Sequence, residues 1–138
     1  MASYVKFQPF VEALAEKVHN LGSDTLKVVL TNSAPNVTDD QLADITQIAN
    51  GNGYTTGGTQ ATIASSAQAS GTYKLVLNDV VFTATGAVGP FQWAVLYNDT
   101  AAGDELIAYW DYGSAVTLAN GDTFTVDFDP STGVLTIA

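Results

Sequence analysis

One short run constrains this chain more than any other: Phe91-Gln92-Trp93-Ala94-Val95-Leu96-Tyr97. At a period of two, Phe91, Trp93, Val95 and Tyr97 share one face, while Gln92, Ala94, Leu96 and Asn98 share the other. Both faces are mostly apolar, so the run belongs in the middle of a sheet with material packed above and below it. A second run, Leu106-Ile107-Ala108-Tyr109-Trp110, is its natural partner, and both tryptophans of the protein lie in this pair. Trp93 is expected in the core.

The rest of the chain supplies what such a strand needs around it. Phe7, Phe10, Val11, Leu14, Val18 and Leu21 recur every three or four residues, which predicts an amphipathic N-terminal helix over about 8–20, stopped at Gly22. Pro9 suits its first turn, and Lys17 and His19 would complement its C-terminal dipole. Strands are expected from about 25 to 137. The first is Thr25–Thr31, and Thr38 could then cap a short second helix over 39–49. The glycine-rich stretch 50–58 reads as an irregular loop. A weak edge strand follows at 61–66, then a hairpin in which Tyr73–Leu77 and Val80–Ala84 flank Asn78-Asp79. Turns are expected at 111–114, at Asn120-Gly121 and at 129–133, with Phe124, Val126 and Phe128 pointing inward between the last two. Short strands and frequent turns predict a mainly β fold over residues 1–138 as one domain. The expected architecture is an antiparallel sandwich or jelly roll with the N-terminal helix and one short additional helix.

Charge and cysteine content remove whole classes of function. Fourteen carboxylates face four lysines and no arginine, a net charge of −10. Four scattered lysines cannot neutralise a phosphate backbone, so nucleic acid is not an expected partner. Without cysteine there is no disulfide, thiolate metal site or cysteine nucleophile. No apolar run approaches the roughly 20 residues that span a bilayer, and no secretory pattern is visible at the N-terminus. No membrane partner is expected.

Candidate catalytic and metal sites are thin. His19 is the only histidine, and no Gly-x-Ser-x-Gly elbow accompanies it, so a helix-terminal cation is the simpler reading. Asp127, Asp129 and Ser131 alternate as in a calcium loop, but the sixth and twelfth positions hold Thr132 and Ala138 instead of Gly and Glu. Turn chemistry explains them better. The glycines of 50–58 lack the Lys-Ser/Thr of a phosphate loop. No catalytic residue, cofactor or metal is therefore assigned, and the chain is not expected to be an enzyme. Binding promise rests on aromatics. Tyr109 and Trp110 face opposite ways, so one of them leaves the core, and Tyr112 follows nearby. Exposed aromatic faces can stack on sugars or anchor protein interfaces.

Several stretches carry a family resemblance: His19-Asn20-Leu21-Gly22-Ser23-Asp24-Thr25-Leu26-Lys27 within 7–27, and Asn50-Gly51-Asn52-Gly53-Tyr54-Thr55-Thr56-Gly57-Gly58. So do Ala94-Val95-Leu96-Tyr97-Asn98-Asp99, Tyr109-Trp110-Asp111-Tyr112-Gly113 and Gly121-Asp122-Thr123-Phe124-Thr125-Val126. Together they span nearly the whole chain, which resembles small virion structural proteins of tailed bacteriophages, of the capsid decoration (cement) type. These motifs are turns and strands, not active-site signatures. The resemblance implies a protein made in the host cytoplasm and placed on the outer capsid surface, where it binds the major capsid protein as a homo-oligomer, a trimer being favoured. A tail-associated role, including a carbohydrate- or receptor-binding module on a fibre, is the competing expectation. Expected contact residues are Phe7, Phe10, Tyr109, Trp110 and Tyr112.

Overall fold

The computed structural model describes residues 3–138. The chain is mainly β, with one α-helix. In order it forms β1 (Ser3–Lys6), α1 (Pro9–Ala15), β2 (Leu26–Thr31), β3 (Thr59–Ala61), β4 (Ile63–Ala69), β5 (Thr72–Leu77), β6 (Val80–Thr83), β7 (Val88–Asn98), β8 (Leu106–Leu118), β9 (Thr123–Val126) and β10 (Leu135–Ile137). The strands make a five-stranded sheet ordered β1-β8-β7-β2-β3, a three-stranded sheet ordered β10-β5-β4, and a β6-β9 ribbon. Every pairing is antiparallel.

The doubly apolar run becomes β7, the central strand of the large sheet. It pairs with β2 through Val29↔Val95 and Leu30↔Ala94, and with β8 through Val95↔Tyr109 and Leu96↔Ala108. Ala94 to Asn98 are all buried. Side chains from all three sheets join one hydrophobic cluster that includes Phe7, Leu30, Leu75, Phe82, Val95 and Leu106. Trp93 departs from expectation. The β7–β8 register shifts between the buried Phe91 and Trp93, and the Trp93 ring packs against the cluster while staying only half-buried.

Several local expectations are corrected. The N-terminal helix ends at Ala15, not near residue 20, because Lys17 adopts a left-handed backbone (φ 70) that closes the last turn. Val11 and Val18, assigned to the buried stripe, are exposed. The second helix is a single 3₁₀ turn, Leu42–Asp44. Past it the backbone is drawn out along β2: Gln47 bridges Thr31, and the Ile48 N–H donates to the Leu30 carbonyl at 3.1 Å. Such sheet bonds outcompete a short helix of fair formers.

The expected 73–84 hairpin does not form. β5 pairs with β4 and β10, while β6 crosses to pair with β9, so Asn78-Asp79 is a corner between sheets. There the Asn78 N–H donates to the Thr62 carbonyl, and an Asp79 carboxylate oxygen accepts the Phe128 N–H at 2.8 Å. The turn expected at 111–114 is instead absorbed into β8, which runs through it to Leu118.

The glycine-rich loop is ordered by buried tyrosines. Tyr54 Oη accepts from the Leu30 N–H and donates to Gln47 Oε1 at 2.7 Å, and Tyr97 Oη donates to the Gly57 carbonyl at 2.6 Å. Burial pushes the Tyr54 phenol up to about 12, so it stays protonated as a donor.

Candidate interaction surface

The expected contact residues divide between core and surface. Phe7 (0% exposed) and Phe10 (4%) face inward, which withdraws both from any surface contact. Phe7 is pulled there because its N–H continues the β1 edge by donating to the Ile107 carbonyl, which lays its ring 5.1 Å from Tyr109. Phe10 packs 5.1 Å from His19. Tyr109 is buried too. Burial, with Asp111 and Asp39 adding, holds its phenol above the ordinary value and thus neutral.

Trp110 and Tyr112 are two residues apart on β8 and therefore share the other face. Trp110 is half-buried, with its ring centroid 5.5 Å from Tyr4 and 5.4 Å from Phe128. Tyr112 is 49% exposed and stands edge-on to Phe124 at 5.6 Å, which in turn meets Phe91 at 4.8 Å. Edge-to-face aromatic pairs of this kind contribute about 0.5–1.5 kcal/mol each beyond their buried area. They fix the rings in place, so the surface is preorganised.

Two clefts open on this surface, and Trp110 and Asp127 line both. One of ≈ 830 Å³ runs past Tyr4, Phe128, Asp129, Pro130 and Val134. The other, of ≈ 180 Å³, lies among Phe91, Gln92, Trp93, Tyr112 and Phe124. Neither is lined by a lysine, so the surface suits a neutral or cationic partner. The Ser131 hydroxyl and N–H donate to Asp129 Oδ1 at 2.7 and 2.8 Å, which holds that carboxyl below its ordinary value and closes the turn. Gln92 Nε2 donates to Asp111 Oδ1 at 3.0 Å and so braces β7 against β8 beside Tyr112.

The sequence reading missed Tyr4, which is 43% exposed beside Trp110. Its signal was the short alternation Ser3-Tyr4-Val5-Lys6, which reads as a strand once β8 is known to need an edge partner.

His19 is not the helix-terminal cation expected from the sequence. It lies beyond the end of α1, 6% exposed, in a polar cluster under the 20–24 loop. Asn98 is the hub of that cluster. Its Oδ1 accepts the Thr100 and Ala101 N–H groups, which turns Nδ2 toward Asp24 Oδ2 at 2.7 Å and His19 Nδ1 at 3.0 Å. His19 Nδ1 must therefore accept, which puts the imidazole proton on Nε2, a buried atom with no partner. Burial holds the imidazole below its ordinary value, although Glu105 and Asp24 pull the other way.

Among the described residues no three His, Asp or Glu side chains are placed to hold a metal ion, and no helix is long and apolar enough to cross a membrane. No protein-family model matches the chain, and no curated protein or solved structure is significantly similar to it, so its resemblance to phage virion proteins rests on the quoted motifs alone.

Proposed function

We propose that this chain is a bacteriophage virion structural protein, a capsid decoration (cement) protein that seats on neighbouring coat subunits and stabilises them by contact. In this reading the three sheets form a sandwich of jelly-roll type, and the protein acts as a homo-oligomer on the outer head surface. The observation that carries it is the preorganised aromatic surface of Tyr4, Trp110, Tyr112 and Phe124, braced from below by the buried Phe128 and left open on a rigid sheet. A contact of about 1,600 Å² draws roughly half its area from each partner. That is a small share of the 7007 Å² accessible here, so one chain has room for a coat subunit and for another copy of itself. A net charge of −10 fits an outward position, because packaged DNA would repel it.

The test is to mix purified protein with heads assembled without it and measure co-sedimentation and the melting of the heads. Bound protein should raise the melting temperature. Tyr112→Ala, an exposed change that spares the core, should weaken binding at least about tenfold, as loss of an aromatic anchor does. Failure to bind such heads, or binding indifferent to Tyr112, contradicts the proposal.

A second reading is favoured by one feature. The half-exposed Tyr112 ring beside Gln92 and Asp127 offers a stacking face with hydrogen-bonding groups next to it, as a carbohydrate-binding module on a tail or head fibre would need. Glycan-array binding that is lost in Tyr112→Ala would favour it over the cement role.

A further inference from the structure

The fourteen carboxylates are unevenly spread. Between Asp44 and Asp79 the only charged residue is Lys74, so residues 45–78 contain no carboxylate at all. This stretch includes β3, β4 and β5, and β3 and β4 are the consecutive edge strands of two different sheets. These strands thus bring almost no charge of their own, and the charges beside them, Lys17 and Asp24, come from the neighbouring loop that meets Ser66 and Tyr73. No residue of β3 or β4 lines the two aromatic clefts.

Among the described residues β4 is the longest edge strand. Its inner side pairs with β5, and among the described residues no strand pairs with its outer side. Exposed edges are normally blunted by charge, proline or brevity. The other edge strands obey this: β1 ends in Lys6, β3 and β10 have three residues each, and Asp79, Asp122 and Asp127 flank the β6-β9 ribbon. β4, Ile63-Ala64-Ser65-Ser66-Ala67-Gln68-Ala69, carries neither charge nor proline over seven residues.

The register shows which backbone groups stand open. β4 and β5 are joined by the two-residue turn Ser70-Gly71, both with positive φ, so Ala69 and Thr72 form the closing hydrogen-bonded pair. Alternation makes Ala67↔Lys74 the next bonded pair, which leaves the N–H and C=O of Ser66 and Gln68 pointing outward. Those four groups match their own copies around a two-fold axis through Ala67, Ser66 of one chain facing Gln68 of the other. Such an edge is self-complementary, and the stretch around it contributes no like-charge repulsion from carboxylates.

We propose that β4 is the docking edge for a second copy of this chain, paired antiparallel about Ala67 into one continuous sheet β10-β5-β4-β4-β5-β10. The contact is two-fold, so it builds pairs instead of the trimer that the family resemblance implies, and it uses an edge that lines neither aromatic cleft.

Disulfide trapping tests this cleanly, because the chain has no cysteine of its own. At the two-fold axis Ala67 would face its own copy in a non-hydrogen-bonded pair, with Cα atoms about 4.5 Å apart, close enough to bridge. Oxidised Ala67→Cys protein at low micromolar concentration should become a covalent dimer, while Val81→Cys, equally exposed on β6, should not. By native mass spectrometry the unmodified protein should show twice the chain mass. Ala67→Lys should weaken that association at least about tenfold without changing the monomer's circular dichroism, since an edge lysine opposes pairing. Gln68→Pro removes one outward N–H and no β4-β5 backbone bond and should do the same, with Gln68→Ala, which loses only the side-chain bond to the Gly71 N–H, as the control that still pairs. A protein that stays monomeric at high concentration, a trimer indifferent to Ala67→Lys, or equal crosslinking at residues 67 and 81 would overturn the proposal. Binding of Ala67→Lys protein to heads is a separate readout, so loss of pairing and loss of coat binding are told apart.

Discussion

A single amide, Asn98, holds two loops and a histidine in place. It is fully buried and makes four hydrogen bonds, two from backbone N–H groups to its oxygen and two from its nitrogen. Asn98→Ala takes the side-chain partner from the Thr100 and Ala101 N–H groups and from His19 Nδ1, while Asp24 Oδ2 keeps the Asn20 N–H, so it should cost about 2–3 kcal/mol, read as a shifted urea midpoint. His19 leaning on that amide makes stability pH-dependent. Its folded-state value lies below the ordinary 6.5, so between the two the unfolded chain binds a proton that the folded chain refuses. Stability is complete above 6.5 and falls as pH drops through the folded value, by up to about 1.4 kcal/mol per pH unit. Protonation would also set an Nδ1–H against the Asn98 amide donors, which the Thr100 and Ala101 bonds prevent from flipping. Urea melts at pH 7.5, 6.5 and 5.5 should show this loss in the wild type and a flatter profile in His19→Gln. Equal slopes in the two proteins would contradict it. None of this was legible in the sequence, where His19 sits just where a helix-terminal cation would. The deciding fact is a left-handed Lys17 that ends the helix early.

Among the elements, those set by local pattern were readable and those set by distant pairing were not. β7 was legible because apolarity on both faces admits one position, the sheet interior, and β2 and β9 followed from alternation. The second helix and the 73–84 hairpin had acceptable local signals but lost to long-range partners, β2 for one and β9 for the other. On the aromatic surface, Trp110 and Tyr112 could be singled out from the sequence, but Tyr4 could not, because only β8 gives β1 a reason to be a strand. Two glycines show how tightly these crossings are built. A Cβ on Gly58 (φ +78) would lie 1.9 Å from the Val28 carbonyl oxygen, whereas on Gly71 (φ +83) it would meet nothing within 4 Å. Gly58→Ala should therefore destabilise the fold by about 3 kcal/mol or more, because strain and a backbone clash combine. Gly71→Ala should cost only the left-handed penalty of about 1–2 kcal/mol. Thermal melts of the two variants compare them directly, and equal losses would refute the assigned close approach of β2 to the 55–58 turn.

At the scale of the whole molecule, carboxylates accompany the aromatic surface, while the stretch 45–78 contributes none. That division suits a protein that meets two kinds of neighbour, a larger surface through its aromatics and its own copies through an uncharged edge. The same rigid core serves both, since Ala94 to Asn98 of β7 are buried from both sides. Function on this account comes from contact area and position, with no chemical step. The most direct measurement of that claim is a cryo-electron reconstruction of the phage particle to which the proposed function would assign this chain. The account predicts this fold on the outer face of the head, in hundreds of copies, with Trp110 and Tyr112 turned toward coat subunits. Absence from the particle, or a handful of copies confined to the tail, would contradict it.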